Sequence, residues 1–508
     1  MVAPRLVAST AFALMSLSFS QAADFDPNTI TDFASLEKAV SAMAVQPYVS
    51  ASKPLASFFD DLKYDGHRQI RFKESAAHYG QLSDTYRVEF FHPGWTAKKT
   101  VGMFDLASGK TTPILYDSKL FDWGELKVPE GTRYPEGYAG FRVLAPDSFM
   151  KRRFEFLVFL GASYFRAVTT ELGFGLSARG LSINTIGGEP EEFPDFTHFW
   201  FEEPKAGEKF FRVLALLNSP SVVGAYRFEA MPGSTTEMFV KGTLYLRKPV
   251  KSLGISPFSS MFWFGENSHP KPYDFRPEVH DSDGLQLALE DGSWLWRPLD
   301  NTAGQLRLSI FQANKLKGFG LGERDREFKN FEDLEAVYHR RPAVWVEPIT
   351  GFDKGNVTLV EIPTGEETWD NIVAFYQPEE LPTATKPLSF SYRLQWLDQK
   401  DPEILSKCTS TRRGFVMDSD DHLYVLDFTA GESGKDINSE WTPKVKTKIT
   451  SGEAKILDQR VMRNRETGGW RAFFKLDIPD KTTLLEMSCE LMDEEKPVSE
   501  RWVYQWRK

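Results

Sequence analysis

Short runs in which apolar and polar residues alternate constrain this chain more than any other feature. Leu388, Phe390, Tyr392, Leu394 and Trp396 occupy every second position, so in a strand all five lie on one face. Trp470, Ala472, Phe474, Leu476 and Ile478 repeat the pattern, as do Trp502, Tyr504 and Trp506. Stretches 69–72 and 86–91 read the same way. A chain of such runs must cover the apolar face of each strand with a second sheet. Its 36 glycines and 30 prolines, with polar clusters, separate the runs and supply turns, so the pattern predicts an all-β protein built of sandwiches.

Helical spacing is rare. Asp32 is placed to cap a helix in which Leu36, Val40 and Met43 share a face. A second short helix is expected over 54–62, and a third over 331–338 with Asn330 as its cap. The polar stretch Asp398-Gln399-Lys400-Asp401-Pro402 marks a boundary between a large domain, 23–396, and a domain of about a hundred residues, 397–508, whose size and alternation suit an Ig-like sandwich.

Hydrophobic residues at 41% and charged residues at 26% are the balance of a globular chain. The net charge of −10 disfavours nucleic acid and anionic membranes as partners, because both need basic patches. Aromatics reach 14%, with 13 Trp and 41 Phe, enough to fill β cores and to line a sugar-binding cleft as well. Arg5, the apolar stretch 6–19 and Ser20-Gln21-Ala22 have the form of a Sec signal cleaved after Ala22, with no twin-arginine pair. No other segment is long and apolar enough to span a membrane, so no stable insertion is expected. Export permits a disulfide between Cys408 and Cys489, and two separate buried thiols fit equally.

The run Val279-His280-Asp281-Ser282-Asp283-Gly284-Leu285 places two carboxylates two residues apart. Asp291-Gly292 downstream is a hairpin turn signal. A two-residue turn there pairs residue 289 with 294 and 287 with 296. Leu285, Leu287 and Leu289 then share an apolar face with Trp294, Trp296 and Pro298, which reads the tryptophans as core rather than sugar platforms. Asp281 and Asp283 fall at the hairpin's open end, where acids reach a cleft without being buried unpaired. The run also resembles the opening of a calcium loop, but Gly284 comes one position early and the helical flanks are absent. A solvated turn and a catalytic or substrate role both remain open for it. Asp370, between two strand-like runs in 357–378, reads either as a turn cap or as an acid facing Asp281 and Asp283 across a cleft.

Other motifs exclude chemistries. Gly318-Phe319-Gly320-Leu321-Gly322 lacks the spacing and the βαβ context of a dinucleotide site. Gly161-Ala162-Ser163 lacks the second glycine of a nucleophile elbow. The eight histidines show no metal-ligand spacing, so neither a metal nor a cofactor is expected.

Several longer runs carry a resemblance. They are Phe159-Leu160-Gly161-Ala162-Ser163-Tyr164-Phe165-Arg166-Ala167, Gly175-Leu176-Ser177-Ala178-Arg179-Gly180, Arg276-Pro277-Glu278 leading into the acidic run, Trp294-Leu295-Trp296-Arg297-Pro298-Leu299, Arg341-Pro342-Ala343-Val344-Trp345-Val346-Glu347-Pro348, and Asp370-Asn371-Ile372-Val373-Ala374-Phe375. Together they resemble the periplasmic glucan synthesis proteins OpgG and OpgD (MdoG) over nearly the whole chain beyond the signal. The absence of a twin-arginine pair looks more like OpgG. One departure is Glu323 before Arg324-Asp325-Arg326, where the family usually has Gln.

The resemblance implies a large mutarotase-like β-sandwich followed by the Ig-like one, and a periplasmic role in making osmoregulated glucans with a β-1,2-linked backbone. It implies hydrolysis of that glucan with inversion in some members. Asp370 would be the general acid and one of Asp281 and Asp283 the base side. Tyr338 would lie between them, with Tyr164, Arg166 and Trp345 as further substrate-binding residues. The expected partners are a β-glucan polysaccharide, and beyond it a second copy of the chain and the inner-membrane glucan synthase. The alternative is a glucan-binding assembly or branching factor that does not cleave. A mutarotase-like epimerase fits less well, because no histidine stands out as acting with a carboxylate.

Overall fold

The computed structural model describes residues 25–508 apart from 51, 83, 147–153, 269–273, 302–303, 435 and 437–439, so the signal expected over 1–22 lies outside the described residues. Strands dominate, in a ten-stranded and a fifteen-stranded sheet with smaller ones beside them. The fold is an all-β sandwich. Aromatic rings fill the space between its two large sheets: Phe141 meets Phe199, Phe159 meets Phe196 and Phe165 meets Phe228, with centroids 5.0, 6.1 and 5.5 Å apart. Much of the phenylalanine content is therefore core.

The most regular run behaves as its period requires. Leu388–Leu397 is a strand between Thr236–Leu246 and Ala343–Thr350, and Phe390, Tyr392, Leu394 and Trp396 point into the core. The helix Phe33–Ala44 starts where expected. Asp32 accepts the Ser35 amide at 2.7 Å, and the Ser35 hydroxyl accepts the Asp32 amide in return. Leu36 and Val40 press this helix onto the outer face of the fifteen-stranded sheet beside Trp200 and Leu214.

Two helices differ from expectation. The one over 54–62 is a single turn, Ser57–Asp60. The one over 331–338 is absent: helix Phe328–Phe331 stops at Glu332, whose φ of 53° is left-handed. Asp333 then accepts the backbone N–H groups of Glu335 and Ala336 at 2.8 and 2.7 Å. Such bonds compete with helix continuation. A 3-10 turn, Tyr338–Arg340, follows.

The hairpin of strands Gly284–Leu289 and Trp294–Pro298 also departs from expectation by one residue. Gln286 pairs with Trp296 and Ala288 with Trp294. Leu289 bonds back to Ser293, so Glu290, Asp291 and Gly292 form a three-residue loop, closed by Gly292 at φ 84°. A one-residue slip turns one strand's side chains over relative to the other. Leu285 and Leu287 therefore face the large core, while Trp296 joins the second core and Trp294 stacks on Trp345, centroids 5.5 Å apart. Both tryptophans are packed against other side chains, but on the side opposite the leucines. Gly284 makes this possible, since a Cβ there would lie 2.3 Å from the Trp296 ring.

The second core belongs to the C-terminal strands. A four-stranded sheet, Cys408–Phe415, His422–Phe428, Trp470–Asp477 and Lys455–Arg463, covers Lys444–Ser451, Leu484–Asp493 and Arg501–Arg507. Arg501–Arg507 pairs in parallel with the hairpin strand Trp294–Pro298, so the large sheet runs on into the C-terminal layer. Cys408 and Cys489 are separate buried thiols, and burial pushes the Cys489 thiol up to about 12.

An ion pair fastens the seam between the two cores. Arg324 donates to Glu500 at 2.9 Å and to the Cys408 carbonyl, and Glu500 accepts the Cys408 amide at 2.7 Å. The Arg324 guanidinium also lies 3.5 Å from the Trp296 ring centre. Removing one partner of such a pair strands a buried charge and costs about 3–5 kcal/mol. Glu500→Ala should therefore lower unfolding free energy in urea by about that amount, and a loss below about 1 kcal/mol would contradict the role given to this pair.

Candidate functional site

Asp281 follows the two-residue strand Val279–His280, and its amide donates to the Met261 carbonyl at 2.8 Å. Its side chain is mostly buried, with Arg341 Nε 3.5 Å from Oδ1. Burial raises its pKa above the usual carboxylate range; Arg341 opposes the rise, Asp370 adds to it and Arg166 opposes it. Asp370 and Arg166 are therefore within electrostatic reach of Asp281.

Asp370 is the open member of this group, its side chain 41% exposed, with Arg166 Nη2 4.0 Å away. Its position is set by its neighbour in sequence. Asn371 donates from Nδ2 to the carbonyls of Phe262 and Ile362 at 3.0 and 2.9 Å, and its Oδ1 accepts the Phe262 amide at 2.8 Å. Strand Ile372–Pro378 is thus pinned at its start, with Asp370 just outside it. Arg166 projects from strand Tyr164–Ala167, held by a 2.6 Å bond from its Nε to Ser177 Oγ.

Tyr338 joins the group through Glu367. Its hydroxyl donates to Glu367 Oε2 at 2.7 Å, and Arg276 Nη1 donates to the same oxygen at 2.7 Å. Arg276 also holds Asp333 at 2.9 Å and Asp274 at 2.8 Å. Burial first, then Glu367 and Asp281, raise the Tyr338 pKa, so its hydroxyl stays protonated as a donor. The Arg341 guanidinium lies 5.3 Å from the Tyr338 ring centre. Glu367, Arg276 and Arg341 were not singled out from the sequence. All three lie in or beside the runs that carry the family resemblance, which was the available signal.

The remaining expected residues do not all converge. Tyr164 shares a strand face with Arg166 but stacks under the Arg179 guanidinium, 5.1 Å from its ring centre, and faces a cavity walled by Trp95, Phe159 and Phe196. Trp345 is not brought to the group: it is buried among Ala288, Ala343, Leu397 and Trp294, where a flat ring fits against Gly318.

Asp283 turns away from Asp370 toward Glu323 and Asp325. Burial first, and then Glu266, Asp325 and Glu323, raise its pKa well above the ordinary range. A histidine acting with carboxylates does exist, contrary to expectation. His280 is fully buried, with Nδ1 2.8 Å from Glu323 and Nε2 3.0 Å from Glu278. Burial would lower its pKa, but Glu323 and Glu278 together raise it well above the ordinary value.

The described residues include no helix long and apolar enough to cross a membrane. The family model described as periplasmic glucan biosynthesis protein, MdoG, matches residues 31–506. The chain is 40% identical over 490 residues to glucans biosynthesis protein G of Pseudomonas paraeruginosa, covering 94% of this chain and 92% of that protein. It is 38% identical over 487 residues to the probable glucans biosynthesis protein D of Shewanella oneidensis, covering 93% and 88%. With the model matched over nearly its whole length and such relatives on both sides of the G and D division, the chain belongs to the MdoG family of periplasmic glucan biosynthesis proteins.

Proposed function

We propose that this periplasmic glucan biosynthesis protein cleaves β-1,2-linked glucan with inversion, at the cleft between Asp281 and Asp370. One observation carries the reading. Asp370 lies within electrostatic reach of Asp281 with no hydrogen bond between them, and each carboxylate has its own arginine beside it. An inverting pair stands roughly 6.5–9.5 Å apart, with room for a water between.

Asp370, open to solvent, delivers its proton to the glycosidic oxygen as the bond to the anomeric carbon breaks. A water attacks that carbon from the opposite face, and its proton passes toward Asp281. Tyr338 stands beside this path with its hydroxyl fixed by Glu367. A bound sugar covering Asp370 would exclude bulk water from the acid and the glycosidic oxygen. Asp283 takes no part, because its carboxylate lies with Glu323 and Asp325. Arg166 and Arg341 flank the cleft and offer donors to sugar hydroxyls.

Digestion of linear β-1,2-glucan tests the assignment. Asp370→Asn and Asp281→Asn should each lower the release of new reducing ends by about a hundredfold or more, as expected when a positioned acid or base is lost, while still binding the glucan. Unchanged release in either variant removes that residue from the chemistry. Glucan binding without new reducing ends in the wild type supports the non-cleaving assembly role instead.

A pH profile tests the base. Asp281 must be ionised to accept a proton, and its pKa is raised, so the acid limb of kcat/KM should lie above the ordinary carboxylate value of about 4. Arg341 lowers that pKa, so Arg341→Gln should move the limb to higher pH. A limb that stays in place or moves down contradicts the assignment of Asp281.

A further inference from the structure

Beside the seam between the two cores, separate segments gather five carboxylates: Glu266, Glu278, Asp283, Glu323 and Asp325. Oxygens of Glu266, Glu278 and Asp325 all lie within 4.8 Å of one another, and so do oxygens of Asp283, Glu323 and Asp325. His280 is the imidazole among them, and both its nitrogens are engaged, one by Glu323 and one by Glu278. Arg324, between Glu323 and Asp325 in sequence, is committed to Glu500 across the seam.

The donors around the cluster leave oxygens over. Glu266 Oε1 accepts the Thr411 amide at 2.7 Å, and Asp325 Oδ1 accepts Asn330 Nδ2 at 2.7 Å. Glu323 is occupied on both oxygens, by His280 and by the Asp325 amide at 2.9 Å. One oxygen each of Glu266, Glu278 and Asp325 has no donor among the described residues. Asp283 is a separate observation from this crowding. It is 6% exposed, and its carboxylate accepts no hydrogen bond and forms no ion pair among the described residues, yet points at Asp325 and Glu323. A buried carboxylate in that state calls for a cation or a proton.

We propose that Glu266, Glu278, Asp283 and Asp325 bind a hard divalent cation of the calcium class. The free donors are all oxygens, which suits calcium, manganese or magnesium rather than zinc. Oxygens sharing a coordination sphere of about 2.3–2.6 Å radius stand no more than about 5 Å apart, as these do within each trio. His280 is not a ligand but a positioning residue that orients Glu278 and Glu323. Because Glu266 also holds the Thr411 amide, the ion would fasten the large core to the C-terminal one. The sequence hid this site: its ligands come from two distant stretches, 266–283 and Asp325, and form no loop motif. The inference does not depend on the cleavage reading.

Calorimetric titration of the metal-stripped full chain with CaCl2 should show one ion bound per chain, with an upward shift of the thermal unfolding midpoint. Asp325→Asn and Glu266→Gln, which keep side-chain shape, should each weaken binding by about tenfold or more, as loss of a charged ligand does. Diffraction from wild-type crystals grown with MnCl2 needs no variant, and should give an anomalous peak among these carboxylates. No binding of calcium, manganese or magnesium by the wild type overturns the proposal. So does binding that both variants leave unchanged, or a manganese peak elsewhere.

Discussion

The register of one hairpin organises this molecule. Strands Gly284–Leu289 and Trp294–Pro298 lie between the two cores and serve both. In the observed register, Leu285 and Leu287 fill the large core, and Trp296 fills the C-terminal one. The outer strand then accepts Arg501–Arg507 as a parallel neighbour, which carries the sheet across the seam. A slip of one residue would exchange the faces of one strand, and with them the packing of a whole domain. The hairpin's open end carries Asp281 and Asp283, so the same register sets where the acids stand.

Burial of charge then sorts those two acids. Asp281 is mostly buried but lies beside Arg341, within reach of Arg166 and Asp370 at the cleft. Asp283, two residues on, faces a crowd of carboxylates with His280 at its centre. Neighbouring positions on one segment thus sit in opposite electrostatic surroundings, one rich in guanidinium and one rich in carboxylate. The first suits a group that must ionise and exchange a proton. The second suits a group that must be neutralised, by a cation in our account.

The sequence made the strand-dominated architecture legible because period-two alternation is local and strong. Phe390 to Trp396 and Trp470 to Leu476 took the faces their spacing implied. The Asp32 cap was legible for the same reason. The turn at Asp291-Gly292 was visible, but its length was not: a three-residue loop with left-handed Gly292 uses the same residues as a two-residue turn and moves the register by one. The missing helix after Phe331 depended on Asp333 bonding to its own downstream backbone, which apolar spacing does not report. Of the expected residues, Asp281, Asp370, Tyr338 and Arg166 are brought together, while Asp283, Trp345 and Tyr164 are directed elsewhere. The roles of Glu367 and Arg276 were not legible, because they lie in contacts with residues far along the chain.

In the cleavage we propose, glucan lies between Asp370 and Asp281 with a water on the Asp281 side. A structure of the Asp370→Asn variant soaked with linear β-1,2-glucan tests it most directly. A glycosidic oxygen should then lie within hydrogen-bonding distance of the position 370 side chain. A water should stand near the anomeric carbon on the opposite face, linked to Asp281 directly or through Tyr338. Glucan bound away from these residues, or an anomeric carbon whose far face is closed to water, would contradict it.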